Sequence, residues 1–164
     1  MKKLITLALA LVMTASISVS AFAATVDQND ASPKNENVTV TTSIDPTYIV
    51  TIPGNTTVAY NNNKATSTDF GTITADYVRL NPKKKIVVSV DADLTMKNAD
   101  DKTKTIPYTI TSGGKAFTSV DLLATGDSAA LKIDITATAW SAACAGSYSD
   151  IVTFTVAYVD KNTD

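Results

Sequence analysis

Across Leu131-Lys132-Ile133-Asp134-Ile135-Thr136-Ala137-Thr138 every odd position is apolar and every even one polar. An extended chain sends successive side chains to opposite faces, so this run predicts a strand with one wet and one buried side. Tyr148, Val152, Phe154, Val156 and Tyr158 also share one face of an extended chain, whereas a helical period would scatter Val152 and Val156. Composition agrees. After residue 23, Thr, Val and Ile supply 47 of 141 residues, 24 of them Thr, and Leu supplies only five. β-Branched side chains fit a pleated surface better than a helix, which makes an all-β chain the expectation.

Other strands are expected at Val38–Ile44, Tyr48–Ile52, a short piece around Val58–Tyr60, Phe70–Thr74 and Tyr77–Leu80. Ile86, Val88 and Val90 share a face of the next strand, Leu94–Met96 reads as a short edge, and Ile106–Ile110 follows. Pro53-Gly54, Asn81-Pro82 and Gly113-Gly114 punctuate them as turns. Roughly seven to nine short strands without βαβ alternation predict an immunoglobulin-like two-sheet β-sandwich. A jelly-roll-like barrel is the alternative, because spacing does not give strand order. In the last part, Ile133, Ile135 and Ala137 are expected to face the core from one arm of a hairpin, and Val152, Phe154, Val156 and Tyr158 from the other. Ile151, Thr153, Thr155 and Ala157 take the opposite face.

The N-terminus carries a different signal. Met1-Lys2-Lys3, the apolar run Leu4–Met13 and the small-x-small Ala21-Phe22-Ala23 predict a secretory signal peptide over residues 1–23. Residues 24–37 are polar and read as a flexible leader, residues 38–160 as one β-sandwich domain, and 161–164 as a tail. The expected location is therefore secreted, extracellular or attached to the cell surface. Without Lys2 and Lys3 the chain has 12 Lys+Arg against 16 Asp+Glu, a net charge of -4, which argues against a nucleic-acid partner. The sequence has no histidine and a single cysteine, Cys144. That excludes His-based metal sites, Ser-His-Asp and Cys-His catalysis, and an internal disulfide. No second apolar run of about 18 residues follows, so no transmembrane segment is expected in the mature chain.

Trp140, then Ala145-Gly146-Ser147-Tyr148-Ser149-Asp150, then Val152–Tyr158 resembles the closing motif of secreted bacterial pilin-like and spore-coat-protein-U-like domains. Tyr48–Pro53 and the Lys-rich entry into Ile86 also resemble small surface proteins of gut-type Gram-positive bacteria. The resemblance implies a surface-appendage or adhesive β-sandwich, often with paired cysteines, from which the lone Cys144 departs. It also implies assembly through an N-terminal donor strand, for which residues 24–37 lack alternating large apolar side chains.

Individual residues carry competing expectations. Gly146 and Tyr148 read as architecture, a crowded turn and a ring whose hydroxyl bonds backbone. Trp140 is an interior plug, or else a partner hot spot or a platform for sugar stacking together with Tyr60, Tyr77 and Tyr108. Asp91 with Asp93 and Asp100 with Asp101 are the available carboxylate pairs for glycosidase chemistry or Ca²⁺, with surface charge as the plainer role. Lys83-Lys84-Lys85 beside Arg79 suits either an acidic polymer or a solvated hairpin, and Cys144 a core or sheltered position. No residue is assigned to catalysis, a cofactor or a metal. The chain is expected to be a non-enzymatic structural or adhesive surface protein, fimbria-like or cell-wall-associated, with a protein or glycan partner and an oligomeric state left open. A carbohydrate-binding module is the alternative, and a small secreted glycan-active enzyme a more remote one.

Overall fold

The computed structural model describes Asn29 and residues 38–161. Residues 1–23 and the rest of the leader lie outside them, as do residues 162–164. The described residues divide into two units, one ending at Asp45 and one running from Pro46 onward. In the first, residues 38–45 are exposed and form neither strand nor helix. The strand expected over Val38–Ile44 is thus not formed, and the β-domain starts at Thr47 rather than Val38. β-Propensity is realised only where a sheet edge accepts the segment.

The second unit is an all-β sandwich. Its eleven strands are β1 (Thr47–Thr51), β2 (Thr66–Arg79), β3 (Lys84–Asp91), β4 (Thr95–Asn98), β5 (Thr105–Pro107), β6 (Thr109–Ser112), β7 (Lys115–Ala116), β8 (Ser119–Leu122), β9 (Ser128–Ile135), β10 (Tyr148–Ser149) and β11 (Thr153–Asp160). A one-and-a-half-turn helix, α1 (Ala137–Ala142), interrupts them. All pairings are antiparallel, in a five-stranded sheet β1-β2-β9-β6-β7 and two three-stranded sheets, β11-β3-β8 and β10-β4-β5. All three contribute to one core: Ile73, Leu131 and Ile133 from the first, Ile86, Val88 and Leu122 from the second, Ile106 from the third. The count exceeds the expected seven to nine, and the sheets number three rather than two.

Two corners explain the difference. Ile106 pairs with Met96 in the β4 sheet, yet Ile110 pairs with Ile133 in the five-stranded sheet, so the run expected as one strand changes sheet at Tyr108. The closing motif does the same: Tyr148 pairs with Asn98, and Phe154 pairs with Val90 in the β3 sheet, with the crossing at Asp150. The corners meet, since the Tyr108 hydroxyl donates to Asp150 Oδ2 at 2.7 Å.

The opposite error occurs in β2, where two expected strands are one. Gly71 sits at φ +133° against Pro53, and the register with β9 shifts between Asp69 and Gly71. A second irregularity leaves Asp76 out of the register with β1. Each extra residue reverses the parity, so the inward set runs Phe70, then Ile73 and Ala75, then Val78 and Leu80. The resulting break in alternation looks like two segments. Val58–Tyr60 forms no strand.

The expected C-terminal hairpin is also revised. β9 belongs to the five-stranded sheet and β11 to the β3 sheet, with α1 and β10 between them. Thr136 ends the alternation because its Oγ1 accepts the Ala139 N–H at 3.1 Å and caps α1. Ala137 is therefore exposed on a helix rather than buried in a strand. The faces within each strand hold: Ile133 and Ile135 are buried, Val152, Phe154, Val156 and Tyr158 pack on the core, and Ile151, Thr153 and Thr155 face outward. Ala157, expected outward with them, is half-buried. β11 is the last strand of its sheet, so its inward side chains stay half-buried, as do Tyr48 and Val50 on the edge strand β1. The rings of Tyr48 and Tyr158 lie 6.3 Å apart, so the two edge strands touch at this pair.

Candidate functional site

Around Gly146 the sequence motif resolves into architecture. Asn98 is a buried polar residue whose Oδ1 accepts the N–H groups of Asp100 and Asp101 at 2.9 and 3.2 Å, and whose Nδ2 donates to Ala145 O at 3.5 Å. Gly146 lies directly over that amide at φ +141°, and a Cβ there would run into it. Tyr148 is half-buried and donates its hydroxyl to Cys144 O at 3.1 Å. Gly146→Ala should cost about 2–4 kcal/mol, combining a strained backbone with a displaced Asn98. Ser147→Ala, at an exposed neighbour, should cost less than about 1 kcal/mol. Equal losses in chemical denaturation would show that the crowding is unimportant.

The carboxylates combine differently from the expected pairs. Asp93 accepts Lys97 Nζ at 2.7 Å and the Thr95 N–H at 3.0 Å, and its carboxylate neighbour is Asp150 rather than Asp91. Asp91 lies exposed at the end of β3, opposite Thr153. Asp100 is exposed and gives its backbone N–H to Asn98, while Asp101 takes the Thr103 N–H and hydroxyl at 2.9 and 2.6 Å. These groups close turns on an open surface. Among the described residues no cluster of three or more acidic or cysteine side chains could hold a metal.

Their titration gives a testable sign. The Lys97 ammonium holds the Asp93 carboxyl below its ordinary range. The Thr103 hydroxyl does so for Asp101, the Leu123 and Ala124 N–H groups for Asp127, and the Ser67 and Thr111 hydroxyls for Asp134. A carboxyl depressed in the folded state adds stability above its unfolded pKa of about 4, and that contribution fades as the pH falls through the folded values. The thermal midpoint should be flat above about pH 5 and fall in acid below about pH 4. A midpoint that rises on acidification would contradict these assignments.

Two of the four charges in the basic cluster are paired in place. Lys84 pairs with Asp160 at 2.8 Å and Lys85 with Asp121 at 2.7 Å, while Arg79 lies over the Tyr77 ring at 5.9 Å. Cys144 is exposed, not sheltered as expected, with its Sγ 3.1 Å from the Tyr148 hydroxyl.

Nor do the aromatics form a multi-ring platform. Trp140 and Tyr108 are each only 7% exposed; burial and the Asp150 carboxylate raise the Tyr108 phenol far above its ordinary pKa. Trp140 Nε1 donates to Thr66 Oγ1 at 3.1 Å, and the Tyr60 ring stands edge-on to the indole at 5.5 Å and 77°. Tyr60 itself is 61% exposed. It enters a tight turn in which Asn62 and Asn63 adopt φ of 44° and 60° and Lys64 N–H donates to Asn61 O at 2.9 Å. Asparagine tolerates these left-handed angles better than other side-chain-bearing residues. The Tyr60 hydroxyl donates to Asn63 Oδ1 at 2.9 Å. Between this turn and the start of β2 runs an open groove of about 320 Å³, lined by Tyr60, Asn61, Thr66, Ser67, Thr68 and two alanines. Sequence reasoning picked out Tyr60 but not the hydroxyl-bearing strand beside it, because that meeting depends on Trp140, 74 residues from Thr66.

No helix among the described residues is long and apolar enough to cross a membrane. A scan against protein-family models and a search of curated proteins both return no match.

Proposed function

We propose that the protein is an exported, non-enzymatic structural or adhesive component of the cell surface that joins its neighbours by strand addition. The observation that carries this reading is the segment just before β1. Val38, Val40 and Ile44 alternate with polar residues, as in a strand, yet are 79%, 92% and 69% exposed. Such a segment has one apolar face and a full set of backbone donors and acceptors to offer. The sandwich supplies a receptor of matching kind. β1 and β11 are the terminal strands of their sheets, with half-buried Tyr48 and Val50 on one and Phe154, Val156 and Tyr158 on the other. A strand from a second copy laid along either edge would extend that sheet and cover its half-buried side chains.

The N-terminal signal supports export, and the threonine-rich outer faces suit a protein whose role is contact rather than turnover. Fractionating cells and medium tests the location: the mature chain is expected in the wall fraction or the medium, and retention in the cytoplasm would refute export.

A further inference from the structure

The geometry points to a binding site for a neutral saccharide in the groove between the Tyr60 turn and the start of β2, independent of the strand-addition reading. A sugar ring offers an apolar face of C–H groups and a rim of hydroxyls, and its site needs an exposed aromatic beside fixed polar groups. Tyr60 meets the first requirement. Its ring is exposed, it packs at a steep angle against Trp140, and its hydroxyl is tied to Asn63 Oδ1. A ring held from two sides loses little freedom when a ligand stacks on it.

The polar groups are equally constrained. Thr66 Oγ1 accepts the indole N–H, which leaves its own proton free to donate into the groove. Ser67 turns its hydroxyl to the opposite face of β2, where it bonds the Asp134 carboxylate, and leaves the groove to its neighbours. Asn61 and Thr68 add an amide and a further hydroxyl. None of the lining residues is charged, which selects a neutral ligand over a uronic or sialic acid. At about 320 Å³ the groove lies at the lower end of ligand-site volumes, enough for one or two sugar units. Being open, it suits a unit within a longer chain approached from the side.

The single tryptophan makes the test direct, because the indole borders the proposed site. The mature chain would be screened on an array of neutral and acidic glycans, and hits titrated at millimolar concentrations while following Trp140 fluorescence. Saturable binding of at least one neutral glycan is expected. Tyr60→Ala, at an exposed ring, should weaken it about tenfold or more. Tyr77→Ala, outside the groove, should leave it unchanged and shows that losing a surface tyrosine is not itself the cause. No binding to any neutral glycan, binding confined to acidic glycans, or full binding by Tyr60→Ala with an unshifted unfolding midpoint would each overturn the proposal.

Discussion

Deleting residues 153–164 is expected to abolish cooperative unfolding rather than to trim the domain. β11 contributes eight paired residues, Thr153 to Asp160, to β3, and its Phe154, Val156 and Tyr158 lie over the core that β3 builds with Ile86 and Val88. Without it, two fully buried residues on β3 would face water along one flank, and the β3 sheet would shrink to a two-stranded ribbon with β8. An isolated pair of strands is marginal in water, so the loss should propagate through the shared core. Point changes on the same strand should be milder. Phe154 is half-buried and packs against Phe70 at 5.8 Å, so Phe154→Ala should cost about 2–3 kcal/mol, below the range for a sealed site. Thr155→Ala, outward-facing, should cost less than about 1 kcal/mol. Circular dichroism and urea denaturation measure all three. A truncated chain that still unfolds cooperatively would show that β11 is an accessory strand.

Trp140→Ala is expected to be the most damaging single substitution, at about 3–5 kcal/mol of a typical 5–15 kcal/mol stability. The indole is nearly sealed, it holds α1 on the core, and its N–H engages Thr66 at the start of β2. Trp140→Phe keeps most of the apolar area and loses the hydrogen bond, so it should recover more than half of the loss. If both substitutions cost the same, the hydrogen bond to Thr66 rather than packing would be the dominant contribution.

What could be read in the sequence was what a local pattern can encode. The alternation of Leu131, Ile133 and Ile135, and of Ile86, Val88 and Val90, identified β9 and β3 and their inward faces. The pattern misled where one residue changed its meaning. The unpaired Phe70 and Asp76 reverse the parity within β2, and Thr136 turns a continuing alternation into a helix cap. Thr136 before an alanine-rich run is an N-terminal helix signal, but the apolar-polar rhythm outweighed it. The sheet-switching corners are a different matter. Tyr108 and Asp150 are 42 residues apart, and nothing near either announces the hydrogen bond that joins them. The same holds for Asp93 and Asp150, and for the Thr66–Trp140 contact behind the groove. Val38–Ile44 was legible as strand-competent from its own residues, while its lack of a partner appears only when every sheet edge is known.

That segment decides between a self-contained sandwich and an assembling one. The most direct measurement is sedimentation velocity of residues 24–164 over a wide concentration range, with and without Val38→Lys and Val40→Lys together. The wild-type chain should form oligomers that grow with concentration and return on dilution to a folded monomer, and the double substitution should abolish them without shifting the unfolding midpoint. A wild-type chain that stays monomeric throughout, or oligomers indifferent to the two lysines, would contradict strand addition through this segment.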